Sequence, residues 1–182
     1  MTDRAPDPRA LDLMALCRQG GQLQGQSPLA EMERLAASLS AVPAQASVTW
    51  TAQGSLVPVA GAEPEIWLHL VAHAEVSLQC QRCLQPTREK LEVDRRFRFV
   101  RNEDEAERLD EASEDDVLAL PPRLDLKDLL EDELILALPL VPRHAQCPNP
   151  LPLPAAEALE EAQPPNPFAA LAALRGRPKA SG

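Results

Sequence analysis

The sequence predicts an α+β protein: a mainly antiparallel β-sheet with a long hairpin at about residues 66–101, packed by two amphipathic helices and followed by a proline-rich C-terminal tail. Two alternating apolar–polar segments predict the hairpin, and leucines at helical spacing predict a helix that covers it. The chain of 182 residues is long enough to bury one hydrophobic core. We therefore expect one folded domain with less ordered ends.

The hairpin has the clearest pattern. Every even position from Ile66 to Leu78 is apolar and the odd positions are mostly polar, which is the period-two pattern of a strand with one buried face. The alternation resumes from Leu91 to Phe99. The two strands should pair, and the residues between them form a connection that is longer than the tightest turns.

Two helices are predicted, at residues 28–38 and 125–138. Ser27 precedes a proline, so it is a candidate N-cap, and apolar residues follow at helical spacing. Asp125 is the candidate N-cap of the second helix, which Pro139 ends. We expect the apolar stripe of each helix to cover the buried face of the sheet.

Composition divides the rest of the chain. Residues 1–26 are rich in Gln, Gly, Asp and Pro, which predicts a loosely ordered N-terminal segment before an α+β core domain at residues 27–147. Within that domain, residues 103–116 are mostly acidic and predict a solvated loop. Residues 148–182 hold eight prolines and predict a tail. A short amphipathic segment near its end either docks on the domain or binds a partner.

Charge and composition argue against several classes of protein. A formal charge of −10 disfavours a protein that coats nucleic acid indiscriminately, and 3% aromatic residues leave little for stacking bases. Four cysteines, with Cys17 standing alone, do not resemble a secreted disulfide framework. No apolar run is long enough to cross a bilayer. We expect a soluble cytoplasmic protein with neither a membrane partner nor a small-molecule substrate.

Cys80 and Cys83 form a CxxC motif, and His144 and Cys147 repeat that spacing after the second helix. Two intervening residues let both thiolates reach one tetrahedral ion, so these four side chains are candidate ligands of a structural zinc ion. Two other interpretations stay open: the thiols simply pack the hairpin end, or the CxxC carries redox chemistry. Leu84 stands where a metal-binding knuckle often has glycine.

The hairpin is also basic, with seven basic residues between positions 82 and 101 against three acidic ones. They are the candidate RNA-binding residues: Arg82, Arg88, Lys90, Arg95, Arg96, Arg98 and Arg101. Arginine donates bidentate hydrogen bonds to phosphate, so an open stripe of this kind suits RNA. The alternative is that the acidic stretch that follows, residues 103–116, folds over the basic strand and neutralises it. If intramolecular carboxylates occupy these guanidinium groups, direct contact with RNA would have to be abandoned.

The acidic residues Glu131, Asp132 and Glu133 do not form a catalytic pair, because consecutive carboxylates spread around a helix and do not converge on one substrate atom. A solvated helix face is the simplest interpretation, and a dock for a basic partner is the alternative. No Ser/His/Asp set, phosphate-binding loop or HExxH motif is visible. We therefore expect no enzymatic activity.

Three segments carry a family resemblance: residues 78–83, residues 131–142 with His144 and Cys147 after them, and residues 165–171. In order and spacing they resemble the YceD family, the large ribosomal RNA subunit accumulation proteins. The resemblance implies a non-enzymatic ribosome-biogenesis factor that supports the synthesis, processing or stability of 23S ribosomal RNA.

The expected partner is large-subunit ribosomal RNA or its precursor, or an intermediate of RNA and protein, bound through the basic hairpin. The first alternative is an acidic chaperone or adaptor for a basic ribosomal protein that makes no RNA contact. The second alternative is a CxxC thiol oxidoreductase.

Overall fold

The structure is a computed structural model that describes residues 6–148. Residues 6–147 belong to one compact unit. The predicted proline-rich tail and its amphipathic segment lie outside the described residues. The elements are α1 (Leu13–Arg18), β1 (Gln22–Pro28), a 3-10 turn (Leu29–Glu31), α2 (Glu33–Ser38), β2 (Ser47–Val57), β3 (Glu65–Gln79), β4 (Pro86–Val100), α3 (Glu103–Asp110), β5 (Asp116–Ala119) and α4 (Leu126–Leu136).

One five-stranded sheet, in the order β1-β2-β3-β4-β5, confirms the predicted α+β class. Strands β1 to β4 form an antiparallel meander, whereas β5 pairs in parallel with residues 97–100 of β4. The pairing of β3 with β4 runs from Ile66 opposite Phe99 to Gln79 opposite Pro86. Among the described residues, no strand pairs with the outer edge of β4 between residues 86 and 96.

Period-two alternation decides which face of the sheet is buried. Leu68 and Leu70 of β3 and Phe97 of β4 are at most 2% exposed, and they share one core with leucines of α1, α2 and α4. The opposite side, which we call the open face, consists of the odd-numbered residues of β3 and the even-numbered residues of β4. It carries mainly polar and charged side chains.

The structure corrects the predicted loosely ordered segment of residues 1–26, which contains α1 and most of β1. Asp12 caps α1 by accepting a hydrogen bond from the Ala15 N–H at 2.9 Å, and Leu16 packs into the core. Strand β1 lies beside β2, where Gly25 leaves room for the Trp50 ring: a Cβ at Gly25 would lie 2.6 Å from it. The composition of β1 is polar and did not predict a strand, because the large apolar side chain at this point, Trp50, belongs to the neighbouring strand β2.

The predicted helix at residues 28–38 begins later than expected, at Glu33. Strand β1 continues to Pro28, and a 3-10 turn then leads to Met32, whose non-helical backbone precedes α2. Ser27 does not cap this helix. Its hydroxyl accepts a hydrogen bond from the Trp50 indole N–H at 3.0 Å, so a tertiary contact replaces the local one.

The structure also corrects the solvated loop predicted at residues 103–116, because its first half is helix α3. The Asn102 side chain accepts a hydrogen bond from the Glu105 N–H at 2.9 Å, and three acidic residues occupy the first turn, where they favour the helix dipole. On the other side of the helix, Ala106 packs against Val100 and Val117. A small apolar cluster and a good cap thus outweigh the like-charge repulsion.

Helix α4 begins after Asp125, as predicted, and the Asp125 carboxylate accepts hydrogen bonds from the backbone of Lys127 and Asp128. Its acidic face is not simply solvated. Glu131 is 9% exposed, and its Oε1 accepts hydrogen bonds from the backbone N–H groups of Arg34 at 2.7 Å and Leu35 at 3.0 Å. These N–H groups lie in the first turn of α2, so Glu131 caps a different helix from its own.

We expect Glu131→Ala to lower the free energy of unfolding by about 2–3 kcal/mol, because two N–H groups at the start of α2 lose a charged acceptor. Asp132→Ala is the matched control, since Asp132 makes a half-exposed ion pair with Arg34. It should cost at most about 1 kcal/mol. Urea denaturation of both variants measures the difference, and equal losses would show that Glu131 does not anchor α2.

Candidate metal centre and cationic face

The end of the hairpin is a short connection between Gln79 and Pro86 that carries both cysteines of the CxxC motif. The Cys80 N–H donates to the Gln85 carbonyl and the Leu84 N–H donates to the Cys80 carbonyl, each at 2.9 Å. Leu84 has φ of +60°, the left-handed conformation that glycine adopts without strain. The leucine therefore takes the backbone shape that a glycine would take in a metal-binding knuckle.

The segment after α4 reaches the same place. The Gln81 N–H donates to the Pro142 carbonyl at 2.9 Å, which joins the hairpin end to the segment that carries His144 and Cys147. The buried ring of Pro142 contrasts with Leu140 and Val141, which are exposed. Two regions about 60 residues apart in the sequence thus meet at one point of the fold.

Cys80, Cys83, His144 and Cys147, which we call the Cys3His cluster, place their donor atoms within 4.8 Å of one another. The Cys80 and Cys147 sulfurs are 3.8 Å apart, and the Cys83 sulfur is 3.4 Å from His144 Nδ1. Zinc–sulfur bonds of about 2.3 Å at tetrahedral angles separate two sulfurs by about 3.8 Å. The donor set and its spacing therefore fit a metal ion of the size and preference of zinc.

The His144 ring is oriented by a second contact. Its Nε2 lies 3.0 Å from the Pro86 carbonyl oxygen. A carbonyl only accepts hydrogen bonds, so Nε2 carries the proton and the lone pair of neutral imidazole is on Nδ1, which faces the cysteines. Histidine ligands of metals commonly have such a partner for their other nitrogen. The first residue of β4 thus selects the tautomer that can bind a metal.

The electrostatics of the cluster favour a thiolate at Cys80. Burial of this side chain opposes ionisation, but hydrogen bonds from the backbone of His144, Arg82 and Cys83 outweigh it and lower the pKa of Cys80. Burial raises the pKa of Cys83, and its neighbours Cys147 and Cys80 raise it further. A low thiol pKa also suits redox chemistry, but the Cys80 side chain has 0% exposure, and the motif does not start a helix.

The seven basic candidates for RNA contact do not form one open stripe. Arg95 points towards the helices and pairs with Glu133 of α4 at 3.4 Å and with Asp116 at 2.5 Å. Burial raises the pKa of Glu133, although the charge of Arg95 lowers it. Intramolecular carboxylates thus neutralise the most central arginine of the predicted stripe.

Three more arginines have carboxylate partners. Arg98 pairs with Glu65 at 2.8 Å and is only 27% exposed, and Arg101 pairs with Glu63. Arg88 is 3.6 Å from Glu75, with side chains that are 86% and 57% exposed. The first pair is shielded, whereas the last is loose and open to water. Most of the neutralising carboxylates lie on or before β3, so the predicted cover by the acidic stretch accounts for Asp116 alone.

Three of the candidates remain available on the open face. The Arg96 guanidinium lies over the Trp67 ring, 4.6 Å from its centroid, and Lys90 has no carboxylate within ion-pair distance among the described residues. Arg88 completes the set because its pair is loose. Arg82, the remaining candidate, contacts the Cys3His cluster: its Nε donates to the Cys147 sulfur at 2.9 Å.

Trp67 was not among the predicted site residues, although the pairing of β3 with β4 places it near Arg96. Trp67 is opposite Arg98 and diagonal to Arg96 in the hairpin, a distance that long side chains span. The two histidines on this face do not meet at a metal. His69 Nε2 lies 2.6 Å from the Asp94 carboxylate of β4.

The alternative role of the acidic face as a dock for a basic protein loses support. Glu131 and Glu133 are both buried and both contact other parts of the fold, and Asp132 pairs with Arg34.

Within residues 6–148, no helix has the length and apolar character that a membrane span requires.

Residues 68–175 match the protein family described as "Large ribosomal RNA subunit accumulation protein YceD". A protein of Haemophilus influenzae with the same name is 36% identical over 154 residues, which cover 80% of this chain and 82% of that protein. No solved structure matches the chain. The matched residues include the whole Cys3His cluster and the open face of β4. The chain therefore belongs to the YceD family of large ribosomal RNA subunit accumulation proteins.

Proposed function

We propose that this protein is a non-enzymatic cytoplasmic factor that supports accumulation of 23S ribosomal RNA by binding precursor RNA, or an intermediate of RNA and protein. The names of the family and of the Haemophilus relative support ribosomal RNA as the target. The geometry of the open face supports the proposed mode of contact. We propose further that the Cys3His cluster binds one structural zinc ion.

The observation that carries the RNA proposal is the Arg96–Trp67 pair on the open face, with Lys90 and Arg88 on the same strand. A guanidinium held over an indole ring keeps its outer N–H groups free for phosphate. Arg88 can exchange Glu75 for a phosphate at small cost, because an exposed ion pair contributes at most about 1 kcal/mol. Arg95, Arg98 and Arg101 contribute to the fold through their carboxylates.

The remaining charge of the molecule limits this binding. With three available cations on the open face and a formal charge of −10 for the chain, the electrostatic contribution to RNA affinity is modest. Nonspecific association with other nucleic acids is then weak at cellular salt. Binding therefore depends on a particular RNA shape or on a protein already bound to that RNA.

The proposed zinc ion has a structural role. Four protein donors leave no coordination position for a substrate, and such an ion would supply folding energy and no chemistry. The ligands come from the hairpin end and from the segment after α4, so the ion would fix that segment on the hairpin.

Charge reversal tests the RNA face. The double variant Lys90→Glu and Arg96→Glu should lower affinity for transcripts of 23S precursor RNA by at least about 10-fold at 50 mM salt. For the wild type, three phosphate contacts give a log–log salt slope of about −2 to −3, and the slope of the double variant, which keeps only Arg88, should be about −1. Fluorescence anisotropy with tiled transcripts measures both quantities.

The matched control is Arg123→Glu, because Arg123 is an exposed arginine outside the hairpin, where it pairs with Asp12. This variant should retain the affinity and the slope of the wild type. Unchanged RNA binding by the double variant would remove the open face from the proposal. A fall in log affinity for the control that is half the fall for the double variant would reduce the effect to net charge, because the control reverses one charge and the double variant reverses two.

Metal analysis tests the zinc proposal. Protein purified under reducing conditions should contain about one zinc ion per chain, and Cys80→Ser or Cys147→Ser should abolish it. Cys17→Ala, which removes a buried thiol outside the cluster, should retain the ion. A chelator should lower the melting temperature of the wild type and of Cys17→Ala but not of Cys80→Ser. Zinc-free protein whose melting temperature zinc does not raise would refute the site.

Leu84→Gly tests the conformation of the knuckle. A non-glycine residue in the left-handed region costs about 1–2 kcal/mol, and Leu84 is 56% exposed, so little burial is lost. We expect the variant to unfold at higher urea concentration than the wild type while it retains zinc. Gln85→Gly is the control, since Gln85 has no positive φ and glycine there should destabilise. Destabilisation by both changes would contradict the assigned conformation.

A further inference from the structure

We infer that Arg82 is a positioning residue of the zinc site, where its guanidinium holds the Cys147 thiolate and offsets the negative charge of the loaded cluster. The inference rests on the proposed zinc ion and goes beyond it, since it assigns a role to a residue that binds no metal. It also removes Arg82 from the RNA-binding candidates.

The geometry comes first. Arg82 Nε donates to the Cys147 sulfur at 2.9 Å, and one of its terminal nitrogens donates to the His144 carbonyl at 3.4 Å. Arg82 itself lies between Cys80 and Cys83 in the turn. One side chain thus links the first pair of ligands to the second pair, which lies more than 60 residues later in the sequence.

The charge of the cluster calls for a cation. Three thiolates and one neutral imidazole around a divalent ion leave a net charge of about −1. Cys80 is completely buried and Cys83 is 7% exposed, so water screens little of this charge. Among residues 6–148, Arg82 is the only arginine or lysine hydrogen-bonded to a sulfur of the cluster.

The shape of arginine matters as well as its charge. The planar guanidinium presents donors in a fixed fork, so it reaches a sulfur and a carbonyl at the same time. A lysine at this position supplies the charge but reaches only one of the two acceptors with a fixed direction. A glutamine supplies neither the charge nor the fork.

Zinc affinity of the full-length chain tests the inference. Competition with a chromophoric chelator should show that Arg82→Gln binds zinc about 10- to 100-fold more weakly than the wild type, as expected for loss of an outer contact to a ligand. Arg82→Lys should recover part of the affinity. Arg88→Gln is the matched control, because Arg88 lies in the same hairpin but pairs with Glu75, and its affinity should equal that of the wild type.

Two further readouts separate a role at the metal from a general role in folding. The cobalt-substituted Arg82→Gln protein should have a shifted thiolate-to-cobalt absorption band, which Arg88→Gln should not. The metal-free wild type and metal-free Arg82→Gln should unfold at the same urea concentration. A difference between these metal-free proteins as large as that between the loaded ones would overturn the inference.

The failure of each proposal has its own signature. If the wild type takes up zinc and Arg82→Gln binds it with unchanged affinity, Arg82 has no role at the metal and the zinc proposal stands. Equal weakening in Arg82→Gln and Arg88→Gln also overturns the role of Arg82. If the wild type itself takes up no zinc in the titration, the zinc proposal fails and the inference fails with it.

Discussion

The alternation of side chains along β3 and β4 is the constraint on which the rest of the molecule depends. The two strands pair over their whole length, so each residue is fixed to one face. Leu70 and Phe97 face the helices, whereas Arg96 faces water above Trp67. The same register ends the hairpin at Cys80, next to the segment that carries His144 and Cys147. A slip of one residue would exchange the two faces and separate the cluster from its supports.

Opposite charges in this protein mostly bind each other. Glu131 holds the start of α2 through backbone N–H groups, and Glu133 pairs with Arg95 beneath the sheet. The formal charge of −10 counts these carboxylates of α4, although they are buried and engaged and present little negative charge to solvent. Intramolecular contacts likewise reduce the candidate RNA-binding residues of the hairpin from seven to three. What remains for a partner is three cations along the open face, one of which lies over an aromatic ring.

Local signals in the sequence were sufficient for the hairpin, for the cap at Asp125 and for grouping the four metal-ligating candidates, since spacing and periodicity carry that information. They failed where the partner of a residue lies far away in the chain. Ser27 has the pattern of a cap but serves Trp50, and Glu131 has the pattern of a solvated acid but serves α2. The N-terminal strand was missed because Gly25 has no side chain of its own and accommodates a neighbour's.

The outer edge of β4 has a consequence for solubility. Strand β5 pairs only with residues 97–100, so the backbone N–H and C=O groups of residues 86–96 that face away from β3 have no strand neighbour within the described chain. Such an edge is a template on which another polypeptide can add a strand and begin to aggregate. Arg88, Lys90 and Asp94 lie along it, and charged side chains on an edge discourage that addition. These charged side chains therefore oppose self-association of the protein through the hairpin edge.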